Sequence, residues 1–245
     1  MTHHVSETSS EHRRSDASTR SIRTAGLVAG ISLMAMSVLA GFGNFVAVEG
    51  LVTPGDAART ADDILAAEGT FRIGVLALYL VVVLDVVIAW ALMRVFDPVS
   101  RSLSRLAAWF RLAYSAVFMV AISQLAGIPD LLGGGSGAFT AEQVAAQALQ
   151  KVDAYSDIWF AALILFAGHL VIVGYLAYKS GYVPALLGIL VVISGLGYAF
   201  DSFGRTLSES PLEVSVVTFI GEFLLGVWLL IRSRRMTIGT DDHAI

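Results

Sequence analysis

Four ionisable side chains lie inside long apolar stretches of this 245-residue chain: Asp85, Arg111, His169 and Glu222. A charge at the centre of a membrane helix costs about 2.5–3.5 kcal/mol on insertion scales, so an ionisable residue there marks a candidate functional site. One arginine, one histidine and two acids carry the charges needed for mutual pairing. Two interpretations stand open: an ion-pair network that fixes helix register, or a proton or ion relay in which the acids and the histidine change protonation.

The depth of each residue limits these interpretations. Asp85 and His169 fall near the middle of their apolar stretches, and Glu222 about eight residues from one end. Arg111 lies about seven residues from the other membrane face, so its side chain can turn inward or extend to the interface. Asn44, Gln124 and Asp201 lie close to the outer boundary, where polar groups are less costly, and form a secondary set.

The sequence lacks the residues that several common catalytic and cofactor-binding sites require. The chain has no cysteine, which removes thiol catalysis, disulfides and iron–sulfur clusters. A single histidine within the apolar stretches does not supply paired haem ligands, and no His-Glu-x-x-His or Gly-x-Ser-x-Gly motif occurs. We therefore expect no catalytic residue, no metal ligand and no cofactor. The net charge of -4 comes without a basic face, which argues against nucleic-acid binding.

The composition indicates a membrane protein. Hydrophobic residues make up 56% of the chain and charged residues 15%, with a mean hydropathy of +0.74. Soluble domains have about 45–50% apolar and about 25% charged residues. Apolar runs of about 18 or more residues predict membrane helices. Six occur, at approximately 25–48, 73–96, 104–128, 158–178, 183–201 and 214–231.

The connecting segments carry local signals. Residues 1–21 are rich in Ser, Thr, His and Arg and predict a disordered tail before the membrane domain at 22–235, with a second tail at 236–245. In the loop 49–71, Asp56 is placed to cap a short helix. The loop 129–157 opens with a glycine-rich hinge, followed by a capping box from Thr140 to Gln143.

Lysine and arginine indicate the orientation. With the N-terminus inside, eleven of these residues lie on the cytoplasmic side and four on the outer side, with Arg111 within the membrane. The outer four are Arg59, Arg72, Lys151 and Arg205. An even number of spans places both termini in the cytoplasm. The sequence thus predicts an all-α, six-span transmembrane bundle with cytoplasmic N- and C-termini.

Five stretches together resemble the bacterial integral membrane family catalogued as domain of unknown function 4386. They are Val83–Trp90, Asp97–Tyr114, Gly181–Pro184, Gly195–Ser202 and Gly221–Trp228. The resemblance covers about Arg23 to Arg235 and implies a six-span protein of the bacterial inner membrane. It implies that Asp85, Arg111, Asp201 and Glu222 belong to the family pattern, and it assigns no catalytic or ligand residue.

Three function classes follow from these observations. A non-enzymatic membrane module for sensing, assembly or envelope maintenance is favoured, because every motif in the sequence can be explained by a structural role. A small-solute or proton-coupled transporter is the alternative, resting on the intramembrane acids and histidine. An intramembrane enzyme is least favoured. The lipid bilayer is the one expected partner, and the sequence leaves open a protein partner, a solute and homo-oligomerisation.

Overall fold

Every element in the described part of the chain is helical, which confirms the all-α class. The computed structural model describes residues 3–134, 139–207, 214 and 219–235. The long helices are α1 (His3–Gly41), α3 (Glu68–Phe96), α4 (Arg101–Ala126), α6 (Ala141–Lys179), α7 (Ala185–Leu207) and α8 (Ile220–Arg232). Two short helices, α2 (Ala57–Ala66) and α5 (Ile128–Gly133), lie between them.

Five helical segments are long and apolar enough to cross a bilayer. They are Arg20–Leu51, Glu68–Phe96, Arg101–Gly133, Ala141–Lys179 and Ala185–Arg205. Each segment has 21 or more residues and is at least about 30 Å long at a rise of 1.5 Å per residue. This length matches the thickness of the hydrocarbon core of a bilayer. The sixth expected span, 214–231, includes residues outside the described ranges, and α8 contributes 13 residues to it. The count of six therefore stays a prediction.

The surface of the bundle is apolar where a soluble protein would be polar. Along α3, Leu76, Leu80 and Val83 are 60%, 53% and 58% exposed. In contrast, the guanidinium-bearing Arg111 is fully buried, at 0% exposure. Apolar side chains facing outward and charged ones facing inward are what a lipid environment selects.

The long helices form a closed ring. Each packs against its neighbour along the chain, in the order α1, α3, α4, α6, α7 and α8, and α8 then packs against α1. The short turn between α6 and α7 makes them antiparallel neighbours, as the sequence indicates. Because the ring closes through the first and last helices, each long helix presents one face to a shared interior.

Glycines allow close approach at the points where the ring is tightest. A Cβ on Gly30 of α1 would lie 2.5 Å from the backbone nitrogen of Leu230 in α8. A Cβ on Gly188 of α7 would lie 2.5 Å from the backbone nitrogen of Tyr178 in α6. Small residues at such contacts drive helix association in membranes, where no hydrophobic effect separates helix from lipid.

The predicted caps are present, and α6 extends well beyond the apolar run at 158–178. The Asp56 side chain accepts from the backbone nitrogen of Arg59 at the start of α2, and the Thr140–Gln143 capping box is complete. The sequence suggests a surface helix after Thr140 and a separate span at 158–178. Instead, α6 is one continuous helix, because no glycine or proline interrupts it before Gly168. The hinge residues 135–137 lie outside the described residues.

Both predicted terminal tails stay predictions, and the described backbone of α1 extends into the first of them. The backbone of α1 is already helical at His3, within the segment 1–21 that the sequence predicts to be disordered. That segment contains no glycine or proline, so nothing in it stops the membrane helix from propagating toward the N-terminus. The predicted tail 236–245 lies outside the described residues.

Tyr182 fastens the turn between α6 and α7 to the end of α3. Its hydroxyl donates to the backbone carbonyl of Val95 at 2.6 Å, and Gly181 adopts a positive φ of 70° within the turn. Burial raises the pKa of the Tyr182 hydroxyl, so the group stays a hydrogen-bond donor at all physiological pH values.

The α1–α8 contact predicts a position-specific effect of adding one methyl group. Gly30→Ala should destabilise the protein by about 1–3 kcal/mol, because the new Cβ overlaps the backbone of α8. Gly41→Ala, at the end of the same helix, meets nothing within 4 Å and is the matched control. It should leave stability unchanged or raise it by up to about 1 kcal/mol. Thermal unfolding in detergent micelles measures both; equal melting temperatures for the two variants would contradict the close contact.

Candidate functional site

The four intramembrane ionisable residues converge in the interior of the ring. Asp85 lies on α3, Arg111 on α4, His169 on α6 and Glu222 on α8. Each lies roughly 15 Å along its helix from the end that carries Phe96, Arg101, Lys179 or Arg232, at 1.5 Å per residue. Equal depth on four helices lets side chains of different length meet at one point. We refer to these four residues as the Arg111 network.

Arg111 is the centre of this network. It is 0% exposed and turns inward, so the alternative in which it extends to the interface is wrong. Its Nε donates to Oδ1 of Asp85 at 2.7 Å, and its Nη2 lies 2.7 Å from the same oxygen. Its Nη1 donates to Oε1 of Glu222 at 2.8 Å. One guanidinium therefore contacts carboxyl groups on two different helices, α3 and α8.

The arrangement of donors and acceptors fixes the state of His169. Nη1 of Arg111 lies 3.0 Å from Nε2 of His169, and the backbone carbonyl of Ala107 lies 2.9 Å from Nδ1. An arginine N–H can only donate and a carbonyl oxygen can only accept. Nε2 must therefore be the acceptor and Nδ1 must carry the hydrogen, which makes the ring neutral.

Met36 and Phe166 complete the shell around the guanidinium. Nη2 donates to the sulfur of Met36 on α1 at 3.4 Å, and the Phe166 ring on α6 has its centroid 5.2 Å from Cζ of Arg111. Tyr198 of α7 meets Phe166 edge to face, at 5.2 Å between centroids. Met and aromatic residues are common in apolar helices, so no sequence signal distinguishes these three from ordinary packing residues.

Two features of the network concern its charge. With His169 neutral, one guanidinium faces two carboxyl groups, so full ionisation leaves one excess negative charge. Within the described residues, Oδ2 of Asp85 is a buried oxygen without a hydrogen-bond partner. Buried polar atoms normally have a partner, and an unpartnered one calls for an explanation.

A narrow crevice leads from His169 toward one end of the bundle. It lies between α3, α4 and α6 and is lined by Phe96, Ser104 and Ala107 among others. Its walls are too close together to admit a water molecule. His169 therefore forms the inner end of a closed seam between three helices.

The secondary polar residues do not join the Arg111 network. Asn44 lies in a π-helical turn, Phe42–Val48, and its Oδ1 accepts from the hydroxyl of Tyr155. Oδ1 of Asp201 accepts from the backbone nitrogen of Val214 at 2.8 Å. Gln124 is partly buried on α4. Among the described residues, no group of three or more His, Asp or Glu side chains is arranged to hold a metal ion.

Comparison with known proteins identifies relatives without a known activity. The family described as Domain of unknown function (DUF4386) matches residues 28–233. An uncharacterised protein of the archaeon Archaeoglobus fulgidus is 31% identical over 163 residues, covering 66% of this chain and 85% of that protein. No solved structure matches. The resemblance seen in the sequence is thereby confirmed.

The geometry predicts that the two carboxyl groups depend on Arg111. Arg111→Ala should destabilise the folded protein by about 3–5 kcal/mol, because two buried acids lose the cation that pairs with both of them. Arg111→Lys should recover part of this loss, since an ammonium keeps the charge but lacks the planar array of five donors. Thermal unfolding in detergent micelles provides the measurement.

Arg105→Ala is the control for these variants, because Arg105 is an exposed arginine on the same helix. Its melting temperature should match that of the wild type. If Arg111→Ala unfolds at the wild-type temperature as well, the guanidinium does not hold the bundle together.

Proposed function

This chain belongs to the DUF4386 family, and from that premise we propose that it is a non-enzymatic, six-span protein of the cytoplasmic membrane whose helices are held in one arrangement by the Arg111 network. In this proposal the protein is a membrane module with both termini in the cytoplasm. It presents a fixed helical scaffold for sensing or assembly at the membrane.

The observation that carries the proposal is the engagement of one guanidinium by four helices. Its five N–H groups face acceptors on α1, α3, α6 and α8: Met36, Asp85, His169 and Glu222. Rotating any of these helices, or sliding it by one residue, would remove an acceptor from a buried charge. A polar group of this kind specifies helix register, a role that buried polar residues fill in helix assemblies.

Three observations support the proposed sixth span and orientation. The closed ring needs α8, whose described residues include Glu222 and pack against α1 and α7. Basic residues favour the side of the membrane that carries the end of α3 and the start of α4. The family match over 28–233 begins within the first apolar segment, at 25–48, and extends past the last, at 214–231.

Proton-coupled solute transport is the second candidate, and the excess negative charge of the network favours it. A carboxyl group that gains and loses a proton could drive a change in helix arrangement. The crevice beside His169 is too narrow for water, and transport through it would need these helices to separate. Fixed helix register requires only the contacts already described.

Removing all three charges at once tests the register proposal. Arg111→Met alone should lose about 3–5 kcal/mol of stability, because it leaves buried carboxyl groups without a cation. The triple variant Asp85→Asn, Arg111→Met, Glu222→Gln should regain most of that loss, since no unpaired buried charge is left. Thermal unfolding in detergent measures each variant.

The same variants separate the two candidates when proton flux is followed with a pH-sensitive dye in liposomes. The register proposal expects equal flux for wild type and Asp85→Asn. Transport expects a flux that Asp85→Asn abolishes while the melting temperature is retained. A triple variant as unstable as Arg111→Met would contradict the register proposal.

The proposed orientation can be tested by cysteine labelling, because the chain has no native cysteine. Asp62→Cys on α2 and Ser102→Cys on α4 both replace exposed residues. In intact cells, a membrane-impermeant maleimide should label Asp62→Cys and should label Ser102→Cys only after permeabilisation. The reverse pattern would invert the orientation, and labelling of both from outside would contradict the span count.

A further inference from the structure

We propose that the Arg111 network holds one exchangeable proton, carried on Oδ2 of Asp85. This proposal rests on the same network as the proposed function and assigns it a ligand. The network then has one cation, Arg111, one anion, Glu222, and two neutral members. The site becomes electrically neutral inside an apolar bundle.

Charge balance is the first argument. An uncompensated charge in a low-dielectric interior is costly enough that a titratable group there normally becomes neutral instead. The groups that interact with Asp85 are Arg111, Tyr114 and Ser115 on α4 and Glu222 on α8. His169 on α6 contacts Arg111, and on α7 Tyr198 interacts with Glu222, Arg111 and the acid Asp201, which accepts a hydrogen bond from the backbone nitrogen of Val214. Arg111 is the one cation among them, and α1 contributes the uncharged Met36. One proton must therefore balance the second acid.

The histidine does not take this proton. Protonated His169 would carry hydrogens on both ring nitrogens. Its Nε2–H would then face an N–H of Arg111 across 3.0 Å, donor against donor and cation against cation. Asp85 and Glu222 are the two groups left to bind it.

Burial and hydrogen bonding select Asp85 over Glu222. Its side chain is 1% exposed, whereas that of Glu222 is 11% exposed. Both donors of Arg111 that reach Asp85 converge on Oδ1, and Oδ2 is left buried and unpartnered among the described residues. An ionised carboxylate would carry part of its negative charge on Oδ2, which receives no hydrogen bond from the described residues.

Ser115 supplies an acceptor for a proton on Asp85. Its hydroxyl lies within interaction range of Asp85 and donates its own hydrogen to the backbone carbonyl of Arg111 at 2.8 Å. The Ser115 oxygen therefore keeps a free lone pair, since a hydroxyl has one donor and two acceptor sites.

Infrared spectroscopy of the purified protein in lipid nanodiscs tests the proposal directly. At neutral pH the wild type should show the carbonyl band of one protonated carboxylic acid, which shifts in heavy water. A carbon-13 label in the aspartate carboxyl should move the band, and the same label in glutamate should not. Asp85→Asn should remove the band, whereas Asp153→Asn, which replaces an exposed acid, should leave it unchanged.

Glu222→Gln gives an independent readout that does not remove Asp85. With one acid gone, Arg111 and Asp85 balance each other, so Asp85 should ionise and the band should disappear. In a pH series, the wild-type unfolding equilibrium constant should rise by up to tenfold per pH unit from about pH 5 to the pH at which folded Asp85 loses its proton. The folded state then holds a proton that an exposed aspartate, with its usual pKa of about 3.9, has already lost.

Three outcomes would overturn the proposal. The folded wild type could show no protonated-carboxyl band, or its band could move with labelled glutamate. The band could also be missing while sodium, but not choline, stabilises the protein. The last would mean that a metal cation balances the site. Each leaves the register proposal standing, because that proposal is judged by the stability of the Arg111 variants alone.

Discussion

A single guanidinium inside an apolar ring is the constraint on which this structure depends. In water, Arg111 and its two carboxyl partners would gain little from pairing. In the interior of a membrane bundle an unpaired charge on any of these three side chains is costly. The contacts at 2.7 and 2.8 Å are therefore needed for all three to be buried there. Arginine suits this position because its fork of five donors reaches acceptors in several directions at once, which a lysine ammonium does less well.

The helix packing makes this meeting of side chains geometrically feasible. Glycines at the α1–α8 and α6–α7 contacts bring backbones close enough for the ring to close around its polar centre. If those helices stood further apart, the glutamate on α8 could not reach the arginine on α4. Small residues at the rim and large polar residues at the centre are thus two parts of one packing solution.

The sequence predicts where the helices lie along the chain better than how they pack against one another. Hydropathy locates the long helices, and the signals at Asp56 and Thr140 correctly mark two helix starts. The four intramembrane residues can be selected because charge is rare in lipid. Their convergence cannot be predicted, since the rotation of each helix depends on long-range packing. The inward turn of Arg111 is likewise a tertiary choice between lipid interface and interior, and Met36 becomes a ligand of the guanidinium only because α1 stands next to α8.

The closure of the ring through the first and last helices has a consequence for biosynthesis. Asp85 and Arg111 lie on consecutive helices and emerge from the ribosome early, as a balanced pair that can enter the membrane together. Glu222 is translated last, on the helix that closes the ring between α7 and α1. Its arrival completes the acceptor set of the arginine and also upsets the one-to-one balance of charges. Final assembly of the bundle and uptake of its proton would then be the same event.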